Sequence, residues 1–170
     1  MELIAHVEPR GEKHPTGHMV IGQERGAEET LHLGYRFDPD DLPDDLRSPA
    51  RWPEYLFANT VPGTIIDESD YLHLLTATLG RIYYTKRVEC TVSLETVIPA
   101  QTKWRAFATY SFNPDDFHSA PSPCYNCVTW ATEVGNRVSA GFLTPVRQGR
   151  IKLMVEQLLH AMPTGDAVGG

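Results

Sequence analysis

Apolar and polar residues alternate most clearly between His18 and Phe37, and this stretch frames the rest of the chain. His18 to Gly22 reads HMVIG and Thr30 to Phe37 reads TLHLGYRF, with Gly26 among polar residues between them, a pattern that predicts a hairpin. Strand side chains alternate between faces with a period of two. Leu31, Leu33, Tyr35 and Phe37 therefore share an oily face, while Thr30, His32, Gly34 and Arg36 share the other. The same parity turns Met19 and Ile21 toward the core and leaves His18 and Val20 on the opposite side, so that His18 and His32 line one groove.

The flanking pattern extends this sheet. Leu3 to Val7 reads as a first strand, followed by a polar loop from Glu8 to Gly17 containing Pro9, Gly11 and Pro15. Asp38 to Pro62 is a long connection with four prolines between Pro39 and Pro53, and its Trp52, Tyr55, Leu56 and Phe57 are expected to pack over the sheet. Thr64 to Ile66 and Arg81 to Val92 read as extended, the latter rich in aromatic and β-branched residues.

From Pro99 the period changes. Ala100, Trp104, Phe107 and Ala108 recur at spacings of three and four, and Pro99 suits a first helical position, so a helix is expected to about Tyr110. Asn113 to Pro123 is loop. Asn126 is expected to cap a short helix with Val128, Ala131 and Val134 on one side and Gly135 at its end. A last amphipathic helix is expected from about Gln148 to Met162, carrying Ile151, Met154, Val155, Leu158 and Leu159, with a loose tail after Pro163. Together these predict an α+β fold, a small antiparallel sheet packed against helices, in a single domain over residues 1–170.

Composition narrows the function. Apolar residues make up 41% of the 170, enough for one ordinary core without staples. The balance of 22 acidic against 15 basic residues gives a net charge of -7, with no basic cluster interleaved with aromatics, which argues against nucleic acid as a partner. No run approaches a membrane span, and Met1 to Val7 is too short and polar for a signal core. A cytoplasmic protein, or one exported without a cleavable signal, is the expectation. Three cysteines, an odd number, do not make a complete disulfide framework.

One of them sits where a nucleophile belongs. Asn126 to Ala131 reads NCVTWA, which places Cys127 at the amino end of a helix, where unpaired N–H groups and the positive end of the dipole favour an anion. Its backbone N–H would also face a developing oxyanion. Cys127 directly follows a good cap and a run of turn residues, so the helix end is expected to reach the surface. The plainer reading is a buried small side chain, the commonest fate of a free cysteine. Cys124 and Cys127 also form a CxxC pair, open to a redox disulfide or to half a zinc site completed by Cys90 and a histidine. No second pair at finger-like spacing exists, and a proline-rich loop precedes the motif where a thioredoxin-like site wants a strand. Of the seven histidines, only His18 and His32 share a setting in which one serves a thiol as base and the other orients it. His160 falls in the last turn of the last helix and reads as structural.

The order GHMVIG (Gly17 to Gly22), LGYRFDP (Leu33 to Pro39), VPG (Val61 to Gly63), a helix, then YNCVTWATEVG (Tyr125 to Gly135) resembles the circularly permuted papain-like superfamily. That superfamily includes the permuted NlpC-type peptidases and the lecithin retinol acyltransferase group. The resemblance spans Gly17 to Gly135 and implies His18 as general base and Cys127 as nucleophile. It implies a polar third residue on the strand after the histidine, which His32 matches best by position and parity, with Glu29 or Thr30 as substitutes if the register slips. It also implies an acyl-enzyme route: His18 takes the thiol proton, Cys127 attacks an amide, ester or thioester carbonyl, and the acyl group passes to water or another acceptor.

Without a long apolar segment after the cysteine helix, a peptidase or amidase acting on a peptide, isopeptide or peptidoglycan-derived substrate is favoured over an acyltransferase on lipid esters or thioesters. The compact, signal-free chain is also similar to bacterial effectors delivered by secretion machines, where another protein could regulate or inhibit the activity. Such chemistry requires no cofactor and no metal. A non-enzymatic protein using the Cys124/Cys127 pair to bind metal or a partner is the remaining alternative.

Overall fold

The computed structural model describes residues 1–8, 18–27, 30–70, 83–98, 108–117, 123–143 and 167–168. Its centre is a hairpin-rich sheet. β1 (Glu2–Glu8), β2 (His18–Glu24) and β3 (Thr30–Phe37) lie side by side antiparallel, β1 pairing with β2 from Glu2↔Glu24 to Glu8↔His18 and β2 with β3 from Val20↔Gly34 to Glu24↔Thr30. Beyond β3 comes β4 (Val61–Asp67), and beyond β1 comes β5 (Tyr83–Glu89), both antiparallel.

Two short strands complete one side. β6 (Thr109–Tyr110) pairs with β4, and β7 (Cys124–Tyr125) runs parallel to β6. On the other side β8 (Ala167–Val168) pairs with β5. The order is β7-β6-β4-β3-β2-β1-β5-β8, a mixed sheet curled into a half-barrel. Short helices α1 (Trp52–Leu56) and α2 (Leu94–Val97) flank it, and the longer α3 (Cys127–Val138) lies against β2 and β3. The class is α+β, as the alternation of periods predicts.

The predicted parity holds in the hairpin. Leu3, Ala5 and Val7 of β1, Met19 and Ile21 of β2, and Leu33 and Tyr35 of β3 are all buried, and they meet Val128, Ala131 and Val134 from α3 in one core. Tyr35 stacks on Trp130 at 5.7 Å and on Tyr110 at 5.8 Å between ring centroids, tying the hairpin to α3 and β6. Phe37 packs edge-on against Trp52 at 4.9 Å, so the proline-rich connection does cover the sheet, through three short 3-10 turns and α1.

Four expectations are corrected. The sheet is larger than a small antiparallel one and is mixed, because β7 runs parallel to β6 while the other pairs are antiparallel. Thr109 and Tyr110 are strand, where the helical spacing had carried a helix to Tyr110; Val61↔Tyr110 pairing and the Tyr35 stack outweigh that local pattern. Gly135 lies inside α3, which runs on to Val138: a Cβ there would come within 3.2 Å of Phe142 and 3.3 Å of Ile21, so the glycine permits close packing and ends nothing. Ala167 and Val168 form an edge strand within the expected tail. The expected helices over 148–162 and over 99–107, and the 9–17 loop, lie outside the described residues. Among the described residues, no helix is long and apolar enough to cross a membrane.

Candidate active site

The local sequence builds the amino end of α3 securely. Asn126 Oδ1 accepts from the N–H groups of Val128 at 3.0 Å and Thr129 at 2.9 Å, while the Asn126 N–H donates back to Thr129 Oγ1 at 3.0 Å. This reciprocal capping box satisfies donors that the first turn leaves open, and a cap of this kind contributes about 1 kcal/mol. Cys127 is thereby held as the first residue of α3.

Its thiol meets a histidine from the far side of the chain. His18 opens β2, and its imidazole comes close enough to the Cys127 side chain for the thiol to help hold the ring's proton. His18 Nε2 also bonds Glu68 Oε1 at 2.8 Å, with His18 4% exposed and Glu68 1% exposed. Arg36 closes the set from β3, its Nε and Nη2 donating to the two Glu68 oxygens at 2.5 and 2.8 Å in a bidentate fork. Cysteine, imidazole, carboxylate and guanidinium therefore form a continuous chain of polar contacts. The Tyr110 hydroxyl lies at the same point, close enough to interact with both the side chain and the backbone of Cys127.

Sheet register explains who meets whom. Val20 pairs with Gly34, so two residues further along His18 stands beside Arg36. Glu68 follows β4 directly, and its backbone N–H donates to the His32 carbonyl at 2.9 Å, which anchors it one rung beyond the Leu33↔Asp67 pair. From there the carboxylate arm passes over Gly34: a Cβ on Gly34 would collide with the Glu68 carboxylate. Glycine within a strand often marks such a close approach.

The electrostatics follow from burial and pairing. For His18, burial opposes the charged form and so does the Arg36 charge, but the Glu68 charge and the bonds to Cys127 and Glu68 outweigh them and raise its pKa to about 9. Burial would raise the Glu68 carboxyl, yet the His18 charge, the two side-chain bonds and Arg36 hold it down to about 2. Glu68 is thus a fixed anion and His18 a strengthened proton acceptor.

Two sequence-derived candidates come together and one does not. His18 and Cys127 meet; His32 shares the predicted sheet face but stands opposite Gly22, four residues along β2 from His18, which is about 13 Å at the usual strand rise. There it contacts His6 instead, Nε2 to Nε2 at 3.3 Å. Thr30 lies further still, opposite Glu24, and Glu29 is outside the described residues. The imidazole's partner is Glu68, a residue that reasoning from the hairpin alone passes over. Gly34 between His32 and Arg36 was the available signal for it.

The expectation that Cys127 reaches the surface is also corrected. The residue is 1% exposed, because Tyr110, His18 and the rest of the aromatic core surround it. Cys124 sits on β7 and is a free thiol like Cys90 and Cys127. Burial pushes the Cys124 thiol up, against a hydrogen bond from Thr109 that acts the other way, which disfavours its anionic form. Cys90 lies elsewhere, accepting a 3.2 Å bond from the Gln23 amide. Among the described residues, no group of three or more His, Cys, Asp or Glu is arranged to hold a metal ion. Compared with known proteins, the chain matches no family model, no curated protein and no solved structure.

Proposed function

We propose that the protein is a cysteine hydrolase of the permuted papain-like kind, a peptidase or amidase in which Cys127 is the nucleophile and His18 its base. The observation that carries this reading is the single imidazole held between a helix-tip thiol and a buried carboxylate. Nucleophile, base and orienting group in hydrogen-bonded series is the arrangement covalent acyl transfer needs.

With Nε2 committed to Glu68, Nδ1 is the ring nitrogen that serves the thiol. In the reactive form the thiol's proton already rests on the His18 ring, which holds it up to about pH 9; Sγ forms a bond to the substrate carbonyl carbon, and the carbonyl electron pair moves onto oxygen. The tetrahedral species collapses, the leaving amine takes the proton from His18, and a thioester remains. Water, deprotonated by His18, then releases the acid and restores the thiol. In this reading the Cys127 N–H and the Tyr110 hydroxyl donate to the oxyanion. Arg36 keeps the Glu68 carboxylate in line.

The want of a long apolar segment after the cysteine helix favours the peptidase branch over lipid acyl transfer, and peptide, isopeptide or peptidoglycan-derived amides are the substrates to screen first. Delivery as a bacterial effector, with a partner that restrains it, fits the same resemblance.

Thiol labelling tests the reading. Native protein treated with iodoacetamide at pH 6 should be alkylated at Cys127 faster than at Cys90 or Cys124, as read by peptide mass spectrometry, and His18→Gln should slow the Cys127 reaction at least tenfold. Equal rates at Cys127 and Cys90 would overturn the proposal. Acyl-thioester capture at Cys127 from amide and ester panels then separates hydrolase from acyltransferase.

A further inference from the structure

The face of the sheet that carries His18 holds a second pair of imidazoles that the proposed chemistry does not use. His6 on β1 and His32 on β3 flank β2 from either side. Their Nε2 atoms are 3.3 Å apart, with ring centroids at 5.1 Å and planes inclined by 55°. Gly22, the β2 residue in register with both Ile4 and His32, leaves the space they occupy: a Cβ there would come within 2.6 Å of His32 Cδ2 and 3.1 Å of its Nε2.

We infer that His6 and His32 form a two-imidazole binding site for a divalent transition metal such as zinc. Two nitrogens bound to one tetrahedral metal at about 2.0–2.1 Å must stand about 3.3 Å apart, which is the separation already present. In the metal-free pair one Nε2–H donates to the other Nε2. Metal binding needs both Nε2 lone pairs, so the donor ring carries its proton on Nδ1 instead, and the neutral pair loses no proton overall. Solvent or an external ligand fills the remaining positions.

The surroundings suit neutral imidazoles. Burial lowers the His6 pKa first, with His32 and Arg87 adding to the effect, down to about 3. Burial and Arg87 lower His32, against the raising influence of Glu24 and Asp67. The Arg87 guanidinium is engaged by Glu2 at 2.6 Å and Glu24 at 3.2 Å, which offsets its repulsion of a cation. Thr85 lies opposite His6 across the β1–β5 ladder.

Calorimetric titration of the full chain with zinc, in a Cys124→Ser/Cys127→Ser background to remove the thiol pair, tests the site. One equivalent should bind, at least tenfold more weakly in His32→Gln and in Gly22→Ala. His32 is the less buried partner, so its variant decides should His6→Gln fail to fold. Cobalt absorption of the unsubstituted chain supplies a second reading: a spectrum without thiolate-to-metal charge transfer, lost in His32→Gln, supports the pair. Absence of saturable binding, unchanged affinity in His32→Gln, or a thiolate band from the only bound cobalt would overturn it. None of these outcomes bears on Cys127 alkylation in metal-free protein, which tests the proposed activity separately.

Discussion

Glu68→Gln is expected to destabilise the protein by about 3 kcal/mol and to erase its loss of stability in alkaline solution. The wild-type carboxylate faces two cationic partners in a nearly sealed site, His18 at 2.8 Å and Arg36 in a two-point fork. Removing one member of a buried pair leaves the other charge uncompensated, a change that costs about 3–5 kcal/mol. Arg36 is 24% exposed and retains some solvent, which places the expectation at the lower end.

The pH dependence has a definite sign. His18 holds its proton more tightly folded, at about 9 against an ordinary 6.5, so its stabilisation is fully present below pH 6.5 and is lost as pH rises through 9. Glu68 is depressed from an ordinary 4.5 to about 2, so its share is present above pH 4.5 and is lost as pH falls through 2. His6 acts in the opposite sense to His18: held neutral with a pKa near 3, it favours the folded state above pH 6.5 and withdraws that support as pH falls toward 3. Stability of the wild-type chain should therefore peak near pH 6.5 and decline on both sides. Urea denaturation at pH 5, 6.5 and 9.5 reads this directly. Glu68→Gln should flatten the alkaline arm and keep the acid one; an alkaline arm of equal slope in both chains would show that His18 and Glu68 are not paired.

Gly34→Ala is expected to slow Cys127 acylation or alkylation about 100-fold while leaving the sheet folded. The added methyl would occupy the path of the Glu68 side chain, so the carboxylate must withdraw from His18 and Arg36. Misplacing an orienting group by an ångström or so costs about 10²-fold in rate, and overpacking costs about 1–3 kcal/mol in stability. Gly34 is not itself in contact with the thiol, and alanine suits a strand backbone, so the rate should suffer more than the fold. Labelling rates for Cys127 compared with urea midpoints separate the two effects. A Gly34→Ala chain that reacts at the wild-type rate would mean that the carboxylate finds another route to the imidazole, or does not matter to it.

The hairpin from His18 to Phe37 was legible because its alternation is strict, with Met19, Ile21, Leu33 and Tyr35 on one apolar face. A register slip of one residue would turn Met19, Ile21, Leu33 and Tyr35 onto the polar face that carries His18 and Glu68, so the pattern admits a single solution. The start of α3 was legible too, since Asn126, Val128 and Thr129 settle its cap among themselves. By contrast, the two-residue strand at Thr109 owes its form to β4 and to the Tyr35 ring, neither of which the local spacing contains. Gly135 had the look of a helix terminator, yet Phe142 and Ile21 fill the room its missing side chain leaves.

The sequence by itself determined the class, the hairpin faces and the capped helix, because each rests on periods and caps written within a few neighbouring residues; His18 and Cys127 became a candidate pair through the order of motifs that resembles the permuted papain-like superfamily. Only the tertiary structure decided that Glu68 and not His32 holds the imidazole, that Arg36 holds Glu68, and that the thiol is buried beneath Tyr110. Glu68 lies 50 residues from His18 and 32 from Arg36 along the chain. Their meeting depends on which rung of one strand faces which rung of the next, a quantity that parity leaves open to shifts of two, and on a side chain passing over a glycine.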